Sequence, residues 1–98
     1  MSKITASAKG EDCQVRYIGI CTHDPEKTIW SHCRHGAAGK GKAIKALDIA
    51  GAYACTACDA AYDQRIGVHP TTTREELDLD RFMGHIRSLV ILKEKGLI

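Results

Sequence analysis

Four of the five cysteines fall into two pairs, Cys13 and Cys21 in CQVRYIGIC and Cys55 and Cys58 in CTAC. Tetrahedral zinc needs four soft donors that converge, and two short pairs from separate parts of a chain are its usual supply. A C-x2-C pair alone also serves redox chemistry, but no thioredoxin-like βαβ pattern surrounds this one, and a partner pair is present. The gap inside the first pair is longer than ordinary knuckle spacing. Buried apolar cysteines, or a site in which His23 replaces one thiol, therefore stay open at this level. Cys33 is left over and reads as a small core residue on a strand.

A chain of 98 residues makes one domain and needs such a brace. At this size folding buries only roughly 60–65% of the unfolded surface. The aromatic inventory is Tyr17, Trp30, Tyr53, Tyr62 and Phe82, and the 44% apolar content leans on alanine. Small domains in this position rely on disulfides, a metal or a partner subunit, so a homodimer is also to be considered. MSKITASAKGED contains no apolar h-region, and no run is long enough to span a bilayer, which predicts a cytoplasmic, reducing setting. An odd cysteine count there argues against a disulfide framework and for zinc. Four bound thiolates and one divalent ion bring the formal charge of +2 to about zero, so attraction to nucleic acid must come from a local patch.

Along the chain, the first dozen residues read as a frayed lead. Residues 13–21 alternate partly and predict a short strand and turn, followed by turn chemistry at Asp24-Pro25. TIWSHC (28–33) is β-branched and aromatic, a strand; DIAGAYAC (48–55) returns as a second, with Gly51 as a bend. Between them GAAGKGKAIKA is a glycine-rich basic loop with Lys40, Lys42 and Lys45. TACDAAYDQRIG has helix composition with Gly67 at the C′ position. Thr73 and Glu76 form a capping box that opens a helix over about residues 74–95. Leu79, Phe82, Met83, Ile86, Leu89 and Val90 recur at helical spacing and predict the face that covers the core.

The order of these pieces (cysteine pair, strand with His32, loop, strand, C-x2-C opening a helix) resembles the HNH, or ββα-metal, nucleases. EDCQVR, GIC, SHCR, the glycine-lysine loop with Asp48, and AC-x2-C followed by Asp63 and Arg65 resemble more closely the YbcO-like nucleases of lambdoid prophages, from about Lys9 to the C-terminal GLI. The resemblance implies an α+β fold: a small zinc-braced hairpin-and-helix domain over residues 1–98, with its core at about 11–67 and an added C-terminal amphipathic helix. It implies His32 as the general base of phosphodiester hydrolysis, since a histidine takes a proton from water near neutral pH. It also implies DNA as the partner, with Arg34 and Arg65 as phosphate clamps and Lys40, Lys42 and Lys45 as a salt-sensitive grip on the backbone.

The chain departs from the HNH pattern at three places. Ser31 stands where a metal-ligating acid or histidine usually precedes the base. The chain has no asparagine to orient that base, and Asp48 is the nearest substitute. Asp59 replaces a histidine after the second C-x2-C pair; with Asp63 one turn on, it is a candidate ligand for catalytic Mg2+ or Mn2+. These departures feed a competing reading, a catalytically inactive zinc-stabilised module that binds nucleic acid or protein. His35 reads as a loop residue, His23 and His69 carry no role, and His85 reads as an outer-helix position. GAAGKGKA nearly matches a phosphate-loop pattern, but Ala43 stands where the Mg2+-binding hydroxyl belongs, and the chain has little room for the parallel sheet that motif needs.

Overall fold

The computed structural model describes residues 2–33 and 47–98, and within them the chain is a small α+β domain. A short helix α1 (Lys3–Ala6) is followed by turns, a 3-10 turn at Pro25–Lys27, strand β1 (Thr28–His32), strand β2 (Gly51–Cys55), helix α2 (Thr56–Gln64) and long helix α3 (Arg74–Glu94). No helix is long and apolar enough to cross a membrane among the described residues. The glycine-lysine loop with Arg34, His35, Lys40, Lys42 and Lys45 lies outside the described residues.

The strands pair antiparallel, with Trp30 opposite Tyr53, Ser31 opposite Ala52 and His32 opposite Gly51. Because successive side chains point to opposite faces, the hairpin serves two small cores. Ala52 and Ala54 pack with Val15, Tyr17, Ala61, Tyr62 and Leu77 and the cysteines. On the other face Trp30 and Tyr53 meet edge to face at 5.1 Å between ring centroids and pack with Ala8 and Leu92.

Several local expectations are corrected. The lead is ordered: Ser2 caps α1, Ser7 and Tyr53 hydroxyls bond at 2.7 Å, and Ala8 is buried because its single methyl fits beneath Trp30. Residues 13–21 form turns rather than a strand, with left-handed backbone at Arg16 and Gly19. One ladder-like backbone bond, Gln14 N–H to Tyr53 O at 2.7 Å, joins this segment to β2. The second strand starts at Gly51, after a turn at 48–50. α2 ends in left-handed Arg65, two residues before the expected Gly67.

The largest correction concerns α3. Its buried residues are Leu77, Arg81, Gly84, Ser88 and Leu92, while Leu79, Phe82, Met83, Ile86 and Val90 are exposed and Leu89 is half-buried. Between Leu77 and Leu92 the inward face is small and polar, and its polar groups find partners there. The Ser88 hydroxyl accepts the Tyr53 N–H at 2.9 Å and donates to Gly84 O at 2.6 Å, and Gly84 lets the helix press against the backbone of Gln14 and Val15. The Thr73 cap is as expected, its hydroxyl accepting the Glu76 N–H at 3.1 Å.

Candidate functional site

The four paired cysteines converge. Cys13 arrives on the turn before β1, Cys21 on the next turn, Cys55 ends β2, and Cys58 lies in the first turn of α2. Their sulfurs all lie within 4.8 Å of one another, with Cys21 and Cys55 at 4.0 Å. A tetrahedron with Zn–S bonds of about 2.3 Å has edges of about 3.8 Å, so the set needs only a slight contraction to close on the ion. Backbone N–H groups of Arg16, His23 and Cys58 point at the sulfurs of Cys13, Cys21 and Cys55 at 3.4–3.5 Å, the polarity that suits thiolates. The sulfurs compete for protons: the bond with Cys58 draws Cys13 down to about 4 and pushes Cys58 up, while burial lifts Cys21 to about 11. One zinc ion, if bound, would resolve that competition by taking all four as thiolates. The residues fit zinc, and His23, exposed with left-handed backbone, contributes its N–H rather than its ring.

Strand alternation divides the remaining site residues. His32 points to the Trp30 face, where its Nε2 lies 3.0 Å from Asp48 Oδ1. The Trp30 indole N–H holds Asp48 from the other side, donating to its backbone carbonyl at 2.6 Å. The Ser2 side chain first, and the His32 ring second, keep the Asp48 carboxyl below its ordinary range. An ionised carboxylate only accepts, so Nε2 carries the ring proton and Nδ1 the lone pair.

Ser31 points to the opposite face. Its hydroxyl donates to Asp59 Oδ1 at 2.5 Å and accepts from Arg81 at 2.9 Å, while the second arm of Arg81 donates to Ser31 O at 2.7 Å. The Arg81 guanidinium lies 4.0 Å above the Tyr62 ring centre, and the residue is only 6% exposed. Asp59 therefore sits in a neutralised trio with Arg81 and Ser31. A divalent ion fits poorly beside it, because it would have to displace Ser31 from one carboxylate oxygen while facing the like charge of Arg81. Among the described residues, the cysteine set is the one group of three or more His, Cys, Asp or Glu donors near enough to hold an ion; His32, Asp59 and Asp63 do not form another. Asp63 and Arg65 are exposed, and Arg65 donates to Thr72 O at 2.6 Å.

Two groups escaped the sequence reading. Arg81 was assigned no role from the sequence, since its partners Ser31 and Tyr62 are brought to it only by the fold. His85 was expected outside; it is half-buried, and its Nδ1–H donates to Gly51 O at 2.6 Å, leaving the lone pair on Nε2. Arg81, His85, Phe82, Tyr62 and Cys33 share a cavity of about 270 Å3 beside the end of β1. Cys33, read as a core residue, is half-buried at its rim.

A family model described as "Putative nuclease YbcO" matches residues 2–97. The chain is 32% identical over 99 residues to proteins named "Putative nuclease YbcO" from Escherichia coli (strain K12) and "Putative nuclease ybcO" from Enterobacteria phage 82. Each alignment covers 100% of this chain and 98% of the relative. A solved structure titled as that of "a putative bacteriophage protein" from Escherichia coli K-12 superposes with a TM-score of 0.73 at 27% identity, covering 94% of this chain and 98% of that one.

Proposed function

The chain belongs to the YbcO nuclease family, and we propose that it hydrolyses phosphodiester bonds in DNA on an HNH-like hairpin-and-helix scaffold, with His32 as general base and zinc in the four-cysteine site as a structural brace. The observation that carries this reading is the His32–Asp48 pair. Asp48 stands in for the orienting asparagine and sets the tautomer, so Nδ1 of His32 has the lone pair that takes a proton from water. The resulting hydroxide attacks phosphorus, the bond to the leaving oxygen breaks, and that oxygen takes a proton from solvent. Asp48 stabilises the imidazolium formed at His32. Bound zinc supplies no step; it fixes Cys55, where β2 passes into α2, against the 13–21 segment.

Arg34, Lys40, Lys42 and Arg65 are the proposed phosphate contacts. Asp59, with Asp63 one turn along α2, is the candidate position for a catalytic Mg2+ or Mn2+. Since Asp59 is engaged by Ser31 with Arg81 behind it, no step is routed through an ion there. That same closed trio favours a second reading, a binding module that keeps the scaffold without the chemistry.

The test is nicking of supercoiled plasmid by zinc-loaded protein with Mg2+ or Mn2+, beside His32→Ala and Asp48→Asn variants of equal zinc content. Nicking by the parent that falls on the order of 100-fold or more in His32→Ala, and by less in Asp48→Asn, supports the base assignment. Nicking unchanged in His32→Ala removes His32 from the mechanism. DNA retarded on a gel but cut by neither protein transfers the assignment to the binding module.

A further inference from the structure

α3 turns Arg81, Gly84 and Ser88 inward between Leu77 and Leu92, and its outer side carries Leu79, Phe82, Met83, Ile86 and Val90, exposed by 62, 56, 46, 41 and 54%. At 100° per residue all five fall within an arc of about 100° and along roughly 16 Å of axis, so they form one continuous stripe. Its area is on the order of 400 Å2 per chain, as large as the patches monomers expose when they use them.

We propose that this stripe is a homodimer interface in which two copies of α3 pack antiparallel about a two-fold axis level with Gly84 and His85. The sequence positions are symmetric about that level: Leu79 lies as far before it as Val90 lies after it, and Met83 as far before as Ile86 after. Antiparallel pairing thus sets Leu79 against the second copy's Val90 and Met83 against its Ile86. The charges agree. Glu75 and Lys93 stand five turns apart, on the same flank of the stripe, one beyond each end. Both are exposed, and neither has an ion-pair partner among the described residues.

In the antiparallel dimer each Glu75 meets the other copy's Lys93, twice per dimer, and the helix dipoles oppose favourably. A parallel pair would instead set Glu75 against Glu75. On the other flank the same symmetry sets Glu76 level with the second copy's Glu94, a like-charge pair further from the stripe and open to solvent, where screening makes it cost less than the inner Glu75–Lys93 pair gains. The rim carries both signs, with Glu75, Glu76 and Asp80 toward one end and Lys93 toward the other, so it offers no uniform field to a phosphate backbone or an anionic lipid surface and suits a second copy turned end for end. Two stripes and their rims bury roughly 1,000 Å2, the low end for a specific interface, so the dimer forms in the micromolar range.

The test is sedimentation equilibrium of the zinc-loaded chain from roughly 1 µM to 1 mM. The expected result is a mass rising from 10.7 kDa toward twice that value. Ile86→Glu, checked for unchanged zinc content and helicity, is expected to weaken association at least tenfold. Lys93→Glu should weaken it several-fold, and Glu75→Lys added to Lys93→Glu should restore it, since the exchange rebuilds both pairs. A parent that stays at 10.7 kDa throughout overturns the proposal. So does association indifferent to Ile86→Glu, which would place the interface elsewhere. Failure of the charge exchange to restore what Lys93→Glu loses overturns the antiparallel arrangement. Plasmid nicking plays no part in this readout, so the two proposals fail separately.

Discussion

Removing zinc should unfold this chain, and the size of the effect follows from how the 13–21 segment is held against β2. The 13–21 segment touches β2 through one backbone hydrogen bond and otherwise through Val15, Tyr17 and the sulfurs. A domain of this length has about 5–15 kcal/mol of stability in all. Binding at a four-thiolate site supplies an apparent 10–16 kcal/mol near neutral pH, comparable to or larger than that total. Free zinc buffered above its dissociation constant should then set stability by mass action, about 1.4 kcal/mol for every tenfold change. The assay is urea unfolding followed by far-ultraviolet circular dichroism at a series of chelator-buffered zinc concentrations. The expected midpoint falls steadily as free zinc falls, until the helical signal is lost without denaturant. Cys21→Ser should bind zinc far more weakly, whereas Cys33→Ser, outside the cluster, should leave one zinc per chain. A midpoint that ignores free zinc over several decades, or Cys33→Ser losing zinc as Cys21→Ser does, would refute the reasoning.

Two further perturbations read the inner face of α3. Arg81→Ala removes both hydrogen bonds to Ser31 and the stacking on Tyr62, and strands Asp59. A loss of about 3–5 kcal/mol is expected, with Ser31→Ala on top of it adding less than its own single effect, measured as a double-mutant cycle in urea; full additivity would show the trio to be uncoupled. Gly84→Ala places a methyl 3.0 Å from Gln14 O and Val15 Cα, both backbone atoms. The overpacking of about 1–3 kcal/mol should outweigh a helix-propensity gain of about 1 kcal/mol, lowering the melting temperature, and Gly84→Val should lower it further.

The features written in local chemistry were legible. The Thr73 cap, the two-strand order and the cysteine pairs each depend on residue types a few positions apart, and each is where the sequence put it. What failed were inferences that assume an apolar residue is an inward one. Partial alternation in 13–21 resembled a strand, but left-handed Arg16 and Gly19 bend the chain into turns that bring Cys13 and Cys21 to a common point. The α3 stripe had the period of a core face. The positions that face inward instead are Arg81, Gly84 and Ser88, whose partners Ser31, Gln14 and Tyr53 lie 35 to 70 residues away in sequence. No local pattern encodes such partners. The site shows the same division: Asp48 could be named as the polar residue to pair with His32, and it lies 3.0 Å away, while Arg81 behind Ser31 and Asp59 could not be named.

Both unexpected features of α3 share a physical origin. A helix of 21 residues laid across a two-stranded sheet must approach closely, because so small a sheet has few large side chains to reach out to it. Glycine and serine permit that approach, and Ser88 occupies the Tyr53 N–H within an otherwise buried region. Arg81 does the same for Ser31 and neutralises Asp59, so a carboxylate can sit half-buried one residue away from His32's strand position without an ion. Once small and polar residues take the inner face, the apolar residues the helix still carries can only point outward. Burying them requires something outside the described core, which in the proposed dimer is another copy of the same helix. The packing that secures Ser31 and Asp59 therefore also creates the surface through which two chains would meet.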